Sequence, residues 1–130
     1  MDGFSQCAGN PRCRLSSGEL GQAGEQLAAD HLASQGFRIL ARNWRSSRGE
    51  IDIVAASGQT VVFAEVKTRR SLRAGIPLEA ITVAKLARIR HLAAEWLAAT
   101  GTHSEEIRVD VYAIVHEHPT TRLQHIQAVG

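Results

Sequence analysis

Long apolar runs are missing from this chain, and none approaches the roughly 20 residues needed to cross a bilayer. The N-terminus has no apolar signal core either, so neither membrane insertion nor export is expected and the cytoplasm is the expected compartment. Cysteine is scarce. Cys7 and Cys13 are the only two, both in a Gly/Ser/Arg-containing stretch, and no second pair completes a zinc site. Without further ligands they are expected to stay reduced and inert. The histidines do not supply such ligands, because His116, His118 and His125 fall at no helical metal-binding spacing. An excess of one charge is also nearly absent. Fifteen Lys and Arg against thirteen Asp and Glu leave a net charge of +2, too small to argue for nucleic acid by itself. There is no internal repeat or low-complexity tract.

What is present suits one folded core. The 130 residues are 44% hydrophobic and 22% charged, whereas two halves of that size would each bury too little surface. Residues 1–15 show no periodicity and read as a flexible leader, leaving 16–130 as a single domain. Ser16 and Glu19 match a capping box; Leu20, Gly24, Leu27 and His31 then share a helical face up to Gln35, with Gly36 placed to stop it. Phe37 to Arg45, Glu50 to Ala55 and Thr60 to Thr68 read as strands. Pro77 is suited to open a second helix, whose stripe of Leu86, Ile89, Ala93, Trp96 and Leu97 ends near Gly101. Ile107 to Val115 and Arg122 to Val129 read as two more strands. This order predicts an α/β sandwich with a mixed sheet, the second helix crossing between strands three and four.

Between the second and third strands, Gly58 and Gln59 suit a two-residue turn, which sets Ser57 opposite Thr60. Counting outward places Asp52 opposite Glu65 and Glu50 opposite Lys67, all four on one face, with Ile51, Ile53, Ala64 and Val66 on the other. Two carboxylates a few ångströms apart are the minimal protein contribution to a magnesium site, which fills its shell with water and phosphate oxygens. Such an ion acidifies a water and compensates charge on a phosphodiester undergoing hydrolysis. Asp52 and Glu65 are therefore candidate catalytic and metal-holding residues. Lys67, two residues on, is a candidate for orienting the water or neutralising the phosphate. The carbonyl of Val66 is a candidate extra ligand, and Glu25 joins the set if the first helix packs beside the hairpin.

A purely structural alternative is a salt-bridge ladder in which Glu50 pairs with Lys67 while Asp52 and Glu65 face solvent. Like charges directly opposite one another destabilise an antiparallel pair, which favours the site over the ladder. Arg42, Arg45, Arg69, Arg70 and Lys85 flank the acids and are candidate phosphate contacts, although each alone reads as a solvated surface charge. Trp44 and Trp96 read as core residues, His31 as half-buried, and Asp110 as having a basic partner nearby.

In sequence these residues resemble a known pattern. Gly21-x-x-Gly24-Glu25, Arg42-Asn43-Trp44-Arg45, Gly49-Glu50-Ile51-Asp52-Ile53-Val54, Val62-Phe63-Ala64-Glu65-Val66-Lys67-Thr68-Arg69, Pro77-x-x-Ala80 with Lys85, and Arg108-Val109-Asp110-Val111 occur in order. Together they are similar to the PD-(D/E)XK nuclease superfamily and, within it, to the uncharacterised bacterial proteins called YraN-like. The likeness covers roughly Gly18 to the C-terminus. It departs at the leader and at Val109, where the family more often has an aromatic residue. The resemblance implies a restriction-endonuclease-like αβββαβ core, akin to that of archaeal Holliday-junction resolvases, whose metal ligands match Glu25, Asp52 and Glu65 and whose catalytic lysine matches Lys67. The expected activity is that of a Mg²⁺- or Mn²⁺-dependent endonuclease acting on branched or structured DNA in recombination or repair, with a homodimer conceivable. The superfamily also contains members that keep the fold without cleaving, so a non-catalytic nucleic-acid-binding module is the alternative, and a scaffold protein a third.

Overall fold

In the computed structural model of the chain, residue 4 and residues 14–71 and 81–129 are described. Cys7, Cys13, Pro77 and Ala80 lie outside them. Ser16 opens the first helix as its spacing to Glu19 predicts: its hydroxyl accepts from the Glu19 N–H at 3.1 Å, and the Glu19 carboxylate accepts from the Ser16 N–H at 2.9 Å. Helix α1 spans Ser17–Ser34, and Gly36 leaves it with a left-handed φ of 91°. Then come β1 (Arg38–Ser46), β2 (Gly49–Ser57), β3 (Thr60–Arg69), α2 (Val83–Thr100), β4 (Glu106–Glu117) and β5 (Thr120–Ile126). The Thr82 hydroxyl caps α2 at the Lys85 N–H, 3.2 Å away, so the described helix starts there.

The strands form one mixed sheet in the order β1-β2-β3-β4-β5. Only β3 and β4 run parallel, because α2 crosses between them; the other three pairs are antiparallel. Alternation along β3 assigns the two faces. Val61 and Phe63 pack with Ile89, Leu92, Ala93 and Trp96 of α2, whereas Val62 and Ala64 pack with Ala28, Ala29 and Leu32 of α1. The result is three layers, helix on sheet on helix. Phe63, Leu32 and Val62 are fully buried, each contributing roughly 1.5–3 kcal/mol of transfer free energy. Phe4 and Leu15 are buried in a third cluster with Leu20, Ala23 and Ile114. Among the described residues no helix is long and apolar enough to cross a membrane.

Two contacts set the position of the site. At Gly24, a Cβ would meet the Thr68 hydroxyl and the Thr68 Cβ at 3.0 Å, so α1 lies backbone-close on β3. At Gly49, φ is 146°, and the turn between β1 and β2 rests over Arg88 and Leu92 of α2.

Candidate functional site

The β2–β3 ladder runs from Ser57 opposite Thr60 to Ile53 opposite Ala64, the register counted from the turn. Asp52 and Glu65 stand one step further out. There a side chain takes over from the backbone ladder: Asp52 Oδ2 accepts the Val66 N–H at 2.8 Å. The Glu65 and Asp52 carboxyls lie in hydrogen-bonding contact, so the two acids titrate as a coupled pair. Burial is the main reason both carboxyls titrate above the usual range. Asp52 is raised although the Val66 N–H opposes it, and Glu65 is pushed to about 7 by burial and then by the Asp52 charge.

Glu50, Asp52 and Glu65 face Lys85 and Arg88 across a cavity of about 250 Å³, with Ile89 and Leu92 as its apolar wall. A larger cavity of about 420 Å³ lies between the second half of α2 and the start of β4, but no carboxylate lines it. The smaller cavity is where chemistry is available.

Glu25 and Glu50 form an outer pair. With its amide nitrogen turned toward the acids, Asn43 donates to Glu25 Oε1 at 2.7 Å and to Glu50 Oε1 at 2.9 Å. Arg45 Nε holds the other Glu50 oxygen at 2.8 Å. Burial first, and the Asp52 charge second, raise Glu25 to about 7 against the pull of Arg42. Helix α1 therefore does bring Glu25 within electrostatic reach of the hairpin acids.

The structural alternative, a Glu50–Lys67 ladder, does not form: the ion-pair partner of Glu50 is Arg45, on the neighbouring strand. One expectation needs correcting: Ile51 and Ile53 do not share a face. Ile51 packs under α2 and Ile53 under α1. β1 turns over at the same place, since Ala41 and Trp44, three residues apart, both belong with the α2 cluster. Between them Asn43 adopts φ 53°, a left-handed conformation that Asn tolerates better than most residues. Simple alternation cannot foresee that switch.

The basic residues separate by what they touch. Arg42 donates to Gln26 Oε1 at 2.7 Å and faces Glu25, while Arg45 is tied to Glu50. Arg69 and Arg70 end β3 outside the cavity, and Arg69 Nε is buried without a hydrogen-bond partner among the described residues. Lys67 acts on both inner carboxyls through its charge, and Lys85 on Glu65. Asn43 and Arg88 are the site residues that sequence reasoning missed. Asn43 stands in the Arg42–Arg45 motif and Arg88 three places after Lys85, but neither position is given a role there.

Elsewhere Asp110, fully buried, accepts from Arg108 at 3.0 and 2.9 Å, from His125 Nε2 at 2.7 Å and from the Ala128 N–H at 3.0 Å. It has the basic partners expected of it. His31 is half-buried, with Nδ1 2.8 Å from the Tyr112 hydroxyl, and Trp96 is core.

Among the described residues no three His, Cys, Asp or Glu side chains already converge as a metal cage. The donor chemistry still fits a hard divalent ion that keeps several waters. Asp52 and Glu65 supply two adjacent carboxyls, and such an ion would compete with protons for them.

Comparison with known proteins agrees with the motif order. A model of the family described as "Uncharacterised protein family UPF0102" matches residues 24–114. A UPF0102 protein of Renibacterium salmoninarum is 51% identical over 113 residues, covering 86% of this chain and 96% of the relative. Another, from Beutenbergia cavernae, is 46% identical over 112 residues, 85% and 95% of the two chains. A third, from Rhodococcus jostii, is 50% identical over 109 residues, 83% and 92%. Residues 24–114 span every element that carries the site, from Glu25 on α1 to β4. The chain belongs to the uncharacterised, YraN-like family UPF0102.

Proposed function

We propose that this protein is a metal-dependent endonuclease that hydrolyses phosphodiester bonds of DNA, with Asp52, Glu65 and Lys67 as its catalytic residues. One observation carries the reading. Two carboxyls are held in hydrogen-bonding contact beside a cavity lined by cations, and burial together with the Asp52 charge pushes Glu65 to about 7. For stability alone, an acid pair in this position is unfavourable. Strongly perturbed acids in a cleft are the usual mark of a working site.

A divalent ion, Mg²⁺ or Mn²⁺, held by Asp52 and Glu65 would acidify a water and offset charge on the phosphate. The residues of the chain do the rest. Val66 fixes Asp52 through its N–H, with its carbonyl a candidate further ligand, and Asn43 fixes Glu25 behind the pair. Lys67, on the same strand as Glu65, places its charge next to both acids, where it can orient the attacking water. Branched or structured DNA in recombination or repair is the substrate class that the resemblance suggests.

The second reading, a nucleic-acid-binding module without turnover, draws support from Glu25, which is engaged by Asn43 rather than converging with the inner pair. One experiment separates the two. Labelled linear, flapped and four-way-junction DNA are incubated with Mg²⁺ or Mn²⁺ and either the native chain or Glu65→Gln. Cutting by the native chain alone supports the nuclease. Binding without cutting by either protein supports the module.

A further inference from the structure

The cavity contains two cations that no salt bridge holds among the described residues. Among the described residues, Lys85 and Arg88 form no ion pair. Two of the acids close by, Glu50 and Glu95, are already taken. The end of β1 and the turn after it occupy them: Arg45 holds Glu50 at 2.8 Å, and Arg48 holds Glu95 of α2 at 3.2 Å. Gly49, between those arginines and Glu50, lies against the Arg88 stem, with Arg88 Cδ 3.5 Å from where a Cβ would stand. Arg88 thus lies against the turn and lines the cavity with Asp52 and Glu65, and among the described residues its guanidinium has no ion-pair partner.

Position along the helix adds a second, independent argument. Lys85 is the third residue of α2, in a first turn that holds no acidic residue, and Arg88 follows one turn later on the same side. The Lys85 charge opposes the positive end of the helix dipole, so it weakens the helix unless something negative arrives. A phosphate bound beside them would reverse that sign, and an arginine fork matches its oxygens.

We infer that Arg88, assisted by Lys85, is the seat for the phosphate presented to Asp52 and Glu65, contacting its non-bridging oxygens. This rests on the nuclease reading for what happens to that phosphate, but not for its binding. The test measures binding of a fluorescein-labelled four-way junction by anisotropy, with Ca²⁺ in place of Mg²⁺, across a salt series. Arg88→Gln is expected to weaken binding about tenfold and to lower the salt slope by about one. Arg88→Lys should recover part of the loss, and Arg122→Gln, on the exposed face of β5, should leave both readouts unchanged. Unaltered affinity and slope in Arg88→Gln, or no binding by the native chain, overturn the inference. Binding that depends on Arg88 without any cutting in Mg²⁺ leaves the phosphate seat standing and sinks the nuclease.

Discussion

Two acidic groups lie on the same sheet and titrate in opposite directions. Asp110, fully buried on β4, should be the more strained of the two. Burial does push its carboxyl up, yet the bonds from Arg108, the Ala128 N–H and His125 outweigh that, and the net shift is downward. Asp52 and Glu65 are less buried but are shifted upward, since burial there outweighs what the Val66 N–H, Lys67 and Lys85 offer them. The difference teaches that burial alone does not mark a site. An acid whose partners are complete belongs to the framework, and an acid pair left short of positive charge is waiting for something.

The largest effect should come from breaking the complete group. Asp110→Ala leaves Arg108 and His125 facing each other without their acceptor and is expected to cost about 3 kcal/mol of stability, measured by urea unfolding. Loss of less than about 1 kcal/mol would mean that the cluster is not framework. Neutralising the incomplete group should act the other way. Asp52→Asn keeps an oxygen for the Val66 N–H, and Glu65→Gln keeps a donor toward Asp52. Each should hold or raise the melting temperature while cleavage falls roughly 10²- to 10³-fold. A clear loss of stability in both would place the pair in the framework instead.

pH sharpens the same contrast in EDTA. Glu65 and Glu25 have folded values of about 7, above the ordinary 4.5, so the folded chain binds more protons than the unfolded one in between. Stability should therefore fall as pH rises from about 4.5 to 7, by roughly 1 kcal/mol per group after allowing for solvent screening. For Asp110 the sign is opposite. Its depressed value contributes stability above 3.8 that is lost as acid is added below it. Glu65→Gln should flatten the upper limb and leave the lower one. Adding Mg²⁺ at pH 7 should release protons, seen as a calorimetric heat that varies with buffer. The smallest effect belongs to the exposed pair: with Arg45 80% exposed, Arg45→Ala should change stability by no more than about 1 kcal/mol.

Much of this was legible because the turn at Gly58 fixes a register and the register delivers Asp52 to Glu65. The Ser16–Glu19 cap, the crossover by α2 and the basic partners of Asp110 follow equally from local pattern and charge. Illegible were the features that depend on two elements at once. The left-handed Asn43 is visible only where β1 and β2 turn over together, and Arg88 matters only because the β1–β2 turn folds across it. Strand alternation, a property of one segment, could reveal neither.

Gly24 has a consequence of its own. Having no side chain, it lets α1 settle directly on Thr68, the residue after Lys67, while Glu25 is the next residue along the helix. A missing methyl group thus acts as a spacer of fixed thickness, setting how far the acid on the helix stands from the acid and the lysine on the strand. Chemical reach at this centre is gauged by backbone contact, and a single carbon atom added at position 24 would reset it.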